Sequence, residues 1–289
     1  MSVAVELATH VSSAEFEPML ATSVSRPSRL TYPILASAKL DGVRCLIFSG
    51  QPLGQMMTPI INDHVRDALS GLPALDGEIT IGHPTNGDVW GRTMAGLMRQ
   101  DGEPDFTYWV FDTFADSLVN APYEKRLRVI EEQVSKLDLP YVKVVSHTPC
   151  HSFSQVMMLE RHAVQRGYDG LILRSPTLPY HYGVVGAQQE HMIKLKRWMV
   201  CYGTLIDILE DVQRDGPRVQ PAGRAGAIVV AFRYQTTETL LTIREGIDHA
   251  ERVRLWVNRD LLIGRTVRFR HQSNGEGAYR TNIYAGLVE

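Results

Sequence analysis

The residue pattern changes character once, near Trp198, and no other feature restricts the possible folds as much. Beyond that point, strand-like runs at 202–209, 227–234, 239–244, 265–271 and 279–285 follow one another through Gly-rich turns. One amphipathic helix interrupts them. Asp248 caps it, Val253, Trp256, Val257 and Leu261 form its apolar stripe, and Gly264 stands where it should stop. Five strands and one helix in about 90 residues fit a small β-barrel of the five-stranded kind. The expected division is therefore 1–198 and 199–289.

The first part mixes the two periodicities. Residues 33–48 read as two short apolar strands interrupted by a polar turn at 39–42. Asn62 should cap a helix carrying Val65, Leu69 and Leu72 on one face. Strands are expected at 74–81 and 106–114, the second from its aromatic content. A helix follows Pro122 with Leu127, Ile130, Val134 and Leu137 in step. Another opens at Ser152 or Ser154, carries Val156, Leu159 and Ala163, and is ended by Gly167. Strands then return at 170–174 and 191–195, so the class is α+β.

Composition mainly excludes. With 44% hydrophobic and 21% charged residues the chain reads as an ordinary globular protein. No apolar run approaches the roughly 18 residues of a membrane span, and the stretch 1–10, with Glu6 and no basic cluster, does not read as a secretory signal. Cys45, Cys150 and Cys201 are odd in number and far apart, which suits a reducing, cytoplasmic setting. His147 and His151 flank Cys150 without a fourth zinc ligand. Residues 194–289 carry a net charge of +4 and the preceding part −6. A basic second part suits phosphate backbones, although solvated surfaces also produce such asymmetry.

The sharpest local signal is Lys39-Leu40-Asp41-Gly42-Val43-Arg44, the pattern K-x-D-G-x-R. A polar hairpin turn would use the same residue types, since Asp-Gly is a common turn pair. A nucleophilic lysine is the other reading. It attacks a phosphate only as the neutral amine, although its free pKa is about 10.4. Cations such as Lys194 and Lys196, partial burial and a metal ion would ease loss of the proton. Gly42 would let the backbone bend beside a nucleotide, and Arg44 offers planar donors to its oxygens. No G-x-x-x-x-G-K-[ST] stretch occurs, which argues against a conventional phosphate-loop ATPase.

KLDGVR resembles the nucleophile motif of the covalent nucleotidyltransferases, which include ATP-dependent DNA ligases, RNA ligases and mRNA capping enzymes. The remaining stretches follow in the order of that superfamily. LDGEI at 75–79 is similar to the element whose glutamate, Glu78, is implied to bind ribose or help hold metal. TYWVFDTF at 107–114 implies that Phe111 stacks on adenine, and YEKRL at 123–127 matches an accessory motif containing Arg126. YDGLILR at 168–174 resembles the metal-binding motif, with Asp169 in place of the usual glutamate, and MIKLK at 192–196 supplies Lys194 and Lys196. Three phosphate-facing cations implied by the resemblance are missing, an arginine in Gly50 to Thr58, another at Tyr180 to Gly186, and those of a C-terminal R-x-D-K-like motif; Arg92, Arg270 and Arg280 are candidates to replace them.

The likeness narrows to small bacteriophage-type ATP-dependent DNA ligases through FEPMLA at 16–21, GEPDFTYWVFD at 102–112 and the terminal run 264–286. It implies an ATP-grasp-like nucleotidyltransferase domain of antiparallel sheets and flanking helices, followed by an OB-fold barrel. The implied reaction is nick sealing through lysyl-AMP at Lys39 and an adenylated 5′-phosphate. Glu78 and Asp169 would hold Mg²⁺ or Mn²⁺. Arg44, Glu78, Phe111, Arg126, Lys194 and Lys196 would bind ATP, and nicked double-stranded DNA would be the partner of a monomer not bound to membranes. An RNA ligase, a capping-type enzyme and a catalytically impaired DNA-binding relative are the other readings. If phage-encoded, the protein would work in the cytoplasm of a bacterial host.

Overall fold

The computed structural model describes residues 15–23, 27–186, 189–195, 199–215, 218–234, 237–273 and 279–288. The chain divides into two compact units, Met1–Lys196 and Arg197–Glu289. In the first unit, one sheet runs Gln51–Gly54, Val43–Phe48, Leu75–Ile81, Phe106–Thr113, Val142–Val144, antiparallel except for its last pair. The other runs Thr22–Ser23, Ile193–Leu195, Leu171–Arg174, Ile34–Ala38, His147–Cys150, antiparallel except for its first pair.

Alternation explains the first sheet. Phe106, Tyr108 and Val110 are buried among Cys45, Ile79, Leu69 and Ile130, while Thr107, Trp109 and Phe111 take the opposite face. Each large side chain so buried contributes about 2 kcal/mol. The helices Asp63–Leu69, Tyr123–Leu137 and Phe153–Gln165 cover these sheets. Asn62 caps the first through Val65 N–H while its amide donates to the carbonyls of Arg99 and Gly102; Leu72 lies past the helix end. Ser152 caps the third, and Gly167 follows it at φ +92°.

A fourth helix, Val89–Leu97, has no clear signal in the sequence because Gly91 and Gly96 interrupt it. Packing explains Gly96: a Cβ there would lie 2.3 Å from Ile81 Cδ1. The helix is tied to the sheet by Thr93, whose hydroxyl accepts from Ile81 N–H at 2.9 Å.

The second unit is a five-stranded antiparallel sheet in the order Thr237–Ile243, Arg218–Tyr234, Met199–Asp215, Thr266–Ser273, Tyr279–Leu287, with helices His249–Val257 and Arg259–Leu262. Its two long strands run well past the apolar segments at 202–209 and 227–234, pairing out to Asp215 and Arg218 through several register shifts. The expected barrel is not closed by a strand ladder among the described residues. The two edges meet at one bridge, Glu245 with Ile283, where Tyr284 N–H donates to the Glu245 carbonyl at 2.9 Å. Gly246, at φ +80°, then turns the chain toward the Asp248-capped helix, so little of this edge can pair. On the outer face, exposed Val200 and Tyr202 lie opposite exposed Arg270 and Arg268.

The three cysteines are buried and unpaired. Among the described residues no helix is long and apolar enough to cross a membrane.

Candidate active site

The two strands flanking Lys39 do not pair with each other. Ile34–Ala38 belongs to one sheet and Val43–Phe48 to the other, so residues 39–42 cross between sheets rather than close a hairpin. Lys39 N–H donates to the Gly170 carbonyl at 2.9 Å and Asp169 N–H to the Lys39 carbonyl at 3.3 Å. This backbone pairing brings the Asp169 carboxylate within 2.8 Å of Lys39 Nζ. Gly42 N–H donates to Glu78 Oε1 at 2.8 Å. A Cβ at Gly42 would sit 2.2 Å from the Ile79 carbonyl oxygen, so close approach of two strands requires this glycine.

Lys39, Arg44, Glu78, Phe111 and Lys194 line one cavity of about 400 Å³ within the first unit, together with Ser37, Ile172, Arg174 and Met192. Five of the residues singled out in the sequence thus converge, and Asp169 adjoins them through Lys39. Lys196 lies outside the described residues.

The charge on Lys39 is set by carboxylates. Burial opposes the ammonium, but Asp169, Glu78 and Asp41 outweigh it, and the pKa rises above the ordinary lysine value. In this arrangement the carboxylates, rather than the cations expected to ease loss of the proton, dominate the shift. Glu78 moves upward too, driven by burial and moderated by Lys39, the Gly42 N–H and Arg44. By donor chemistry, Glu78 and Asp169 fit a hard divalent cation. Among the described residues no three metal-ligating side chains come together, so such an ion would need phosphate and water oxygens to complete its shell.

Phe111 sits in a β-bulge. Asp76 pairs with Asp112 and Gly77 with Val110, leaving Phe111 between them without a partner on Leu75–Ile81. The extra residue puts Phe111 and Asp112 on the same face as Asp76, Glu78 and Trp109. Two guanidiniums lie near the ring, Arg44 at 4.9 Å and Arg174 at 5.2 Å from its centroid. Arg44 is bidentate on Asp76, with both contacts at 2.6 Å, and Tyr180 donates to the same carboxylate at 2.9 Å.

Arg126 does not line the cavity. It is buried, bonded to Asp112 at 2.7 and 3.1 Å and to the carbonyls of Ala121 and Leu178. Arg174 shares Asp112 at 2.6 Å and reaches the cavity wall itself. Arg174 and Asp76 were not singled out in the sequence, although each carries a signal. Arg174 ends the apolar run LILR, and Asp76 stands two residues from Glu78 on one face of a strand. Of the candidate replacement arginines, Arg92 donates to the Gly87 carbonyl and lines no part of this cavity, while Arg270 and Arg280 belong to the second unit. Gln55 and Val184, from the two stretches lacking arginine, do line the cavity.

A family model described as ATP dependent DNA ligase domain matches residues 59–196. A DNA ligase of African swine fever virus (isolate Pig/Kenya/KEN-50/1950) is 25% identical over 134 residues, 46% of this chain and 31% of the viral protein. The match thus spans about a third of that relative's length. Among solved structures, the Chlorella virus DNA ligase-adenylate has a TM-score of 0.58 at 23% identity, covering 95% of this chain and 98% of that one. A Lig E DNA ligase has a TM-score of 0.73 at 18% identity, covering 94% and 99%. At these identities the structural likeness establishes the fold. Residues 59–196 thus match the ATP-dependent DNA ligase domain, and the chain is similar there to viral DNA ligases.

Proposed function

We propose that the chain seals nicks in duplex DNA with ATP, carrying AMP on Lys39 between the two substrates. The observation that carries this reading is the cavity in which a lysine between carboxylates faces an aromatic ring and three further cations. In the first step the Lys39 amine gives up a proton, for which Asp169 at 2.8 Å is the placed acceptor. An N–P bond then forms to the α-phosphorus as the bond to the β-phosphate oxygen breaks and pyrophosphate leaves. Phe111 offers its ring to adenine, Glu78 an acceptor to the ribose, and Arg44, Arg174 and Lys194 positive charge to the phosphates. Mg²⁺ or Mn²⁺ bound beside Glu78 and Asp169 would neutralise phosphate charge. AMP next passes to a 5′-phosphate at the nick, and the 3′-hydroxyl displaces it to form the phosphodiester.

Residues 1–198 act here as the adenylation domain and 199–289 as an OB-type domain that meets the duplex. The outer face bearing Tyr202, Arg268 and Arg270 supports the second assignment. We read the protein as a monomer of bacteriophage type. Incubation with α-labelled ATP and Mg²⁺, then a chase with nicked DNA or nicked RNA, tests the scheme. Label should appear on the protein, vanish with Lys39→Ala, and leave only in the presence of nicked DNA. A wild-type protein that stays unlabelled ends the proposal.

A further inference from the structure

The bulge leaves Phe111 outside the strand ladder, so its carbonyl must find a donor elsewhere. That donor is Tyr123, the first residue of helix Tyr123–Leu137 and 1% exposed, whose hydroxyl reaches the Phe111 carbonyl at 2.8 Å. The same phenolic oxygen lies 2.8 Å from His147 Nε2. With the hydroxyl proton committed to the carbonyl, Nε2–H is the donor in this second bond. His147 belongs to the other sheet and stands cross-strand from Ser37 in the cavity wall. Two hydrogen bonds therefore link one sheet to the other through the backbone of Phe111. The Tyr123 ring also lies 4.8 Å from the Arg174 guanidinium, which in turn lies 5.2 Å from the Phe111 ring. Burial and the Arg174 charge hold His147 neutral, which spares this cluster a further positive charge.

We propose that Tyr123 and His147 are positioning residues for the nucleotide: their relay holds the bulge so that the Phe111 ring is presented to the base. The inference rests on reading the cavity as the ATP site. Neither residue lines the cavity, so neither needs to touch ATP.

Self-adenylation in single-turnover experiments, followed across ATP concentration, tests the relay. Tyr123→Phe removes one oxygen and strands both the carbonyl and the imidazole N–H. It should raise the half-saturating ATP concentration about tenfold while leaving the limiting rate within about twofold. His147→Leu should shift binding the same way, whereas His147→Gln, whose amide can donate in place of Nε2, should stay near wild type. On a Phe111→Leu background, Tyr123→Phe should add nothing, a result that a general loss of stability would not produce. An unchanged half-saturation in Tyr123→Phe overturns the relay, as does a full extra loss on the Phe111→Leu background. A wild type that binds ATP but takes no adenylate removes the proposed reaction alone. The relay is then judged by calorimetric ATP binding to the Lys39→Ala protein, where Tyr123→Phe must weaken binding by the same factor or the relay falls.

Discussion

The carboxylate side of the cavity and its guanidinium side hold opposite charges in different ways. On the first, Lys39 is 20% exposed at its side chain and shares Asp169 and Glu78 through contacts that a ligand can rearrange. On the second, Arg126 and Arg174 close on Asp112 with exposures of 2% or less. Removing ions from water is costly, and a buried pair holds only while every partner stays in place. One wall is thus held by buried ion pairs, and the other stays adjustable where bonds are to be made.

Four substitutions or conditions test this contrast. Asp112→Ala strips Arg126 and Arg174 of their shared acceptor and should cost about 3–5 kcal/mol of stability, read from the denaturant midpoint. Gly42→Ala forces the crossing loop against the Ile79 carbonyl, and we expect about 2–3 kcal/mol together with loss of adenylation. Acid comes next. His147 has a folded-state pKa of about 4 against an ordinary 6.5, because burial and then Arg174 disfavour its charge. Below pH 6.5 the unfolded chain takes up a proton that the folded chain refuses, so stability should decline toward pH 4 by about 3 kcal/mol and the His147 contribution then level off. His147→Gln should flatten that slope in parallel denaturation curves at pH 7 and 4.5. Smallest in stability is Asp169→Asn, under about 1 kcal/mol because an amide oxygen still accepts from Lys39, yet labelling by ATP should fall sharply. If Asp169→Asn proves as destabilising as Asp112→Ala, the two walls are not different in kind.

Much of the adjustable wall could be read from the residues. KLDGVR stands out by itself, and the resemblance carried by it and the stretches that follow implies Glu78, Asp169 and Lys194. The fixed wall was less legible. An alternating pattern assigns Phe111 and Asp112 to opposite faces, and only the bulge, which depends on the partner strand, brings both to one. The motif implies that Arg126 contacts the nucleotide, whereas the residue bonds Asp112, because a charged side chain in a motif gives no sign of whether it meets a ligand or braces the residue that does. Helix Val89–Leu97 is masked in the sequence by two glycines, of which Gly96 packs against Ile81 and Pro104. In the second unit, strand existence followed the apolar runs, whereas the long extensions and the nearly meeting edges depend on pairing that no single stretch encodes.

Because residues 39–42 are clamped at one end by Ile34–Ala38 and at the other by Val43–Phe48, their number matters as much as their identity. One inserted residue adds about 3.3 Å of chain to a span whose anchors cannot slide, since each is fixed by neighbours on both sides. The amine would be displaced by more than the length of the bond it has to form. The length of this bridge therefore constrains the site as tightly as the side chains it carries.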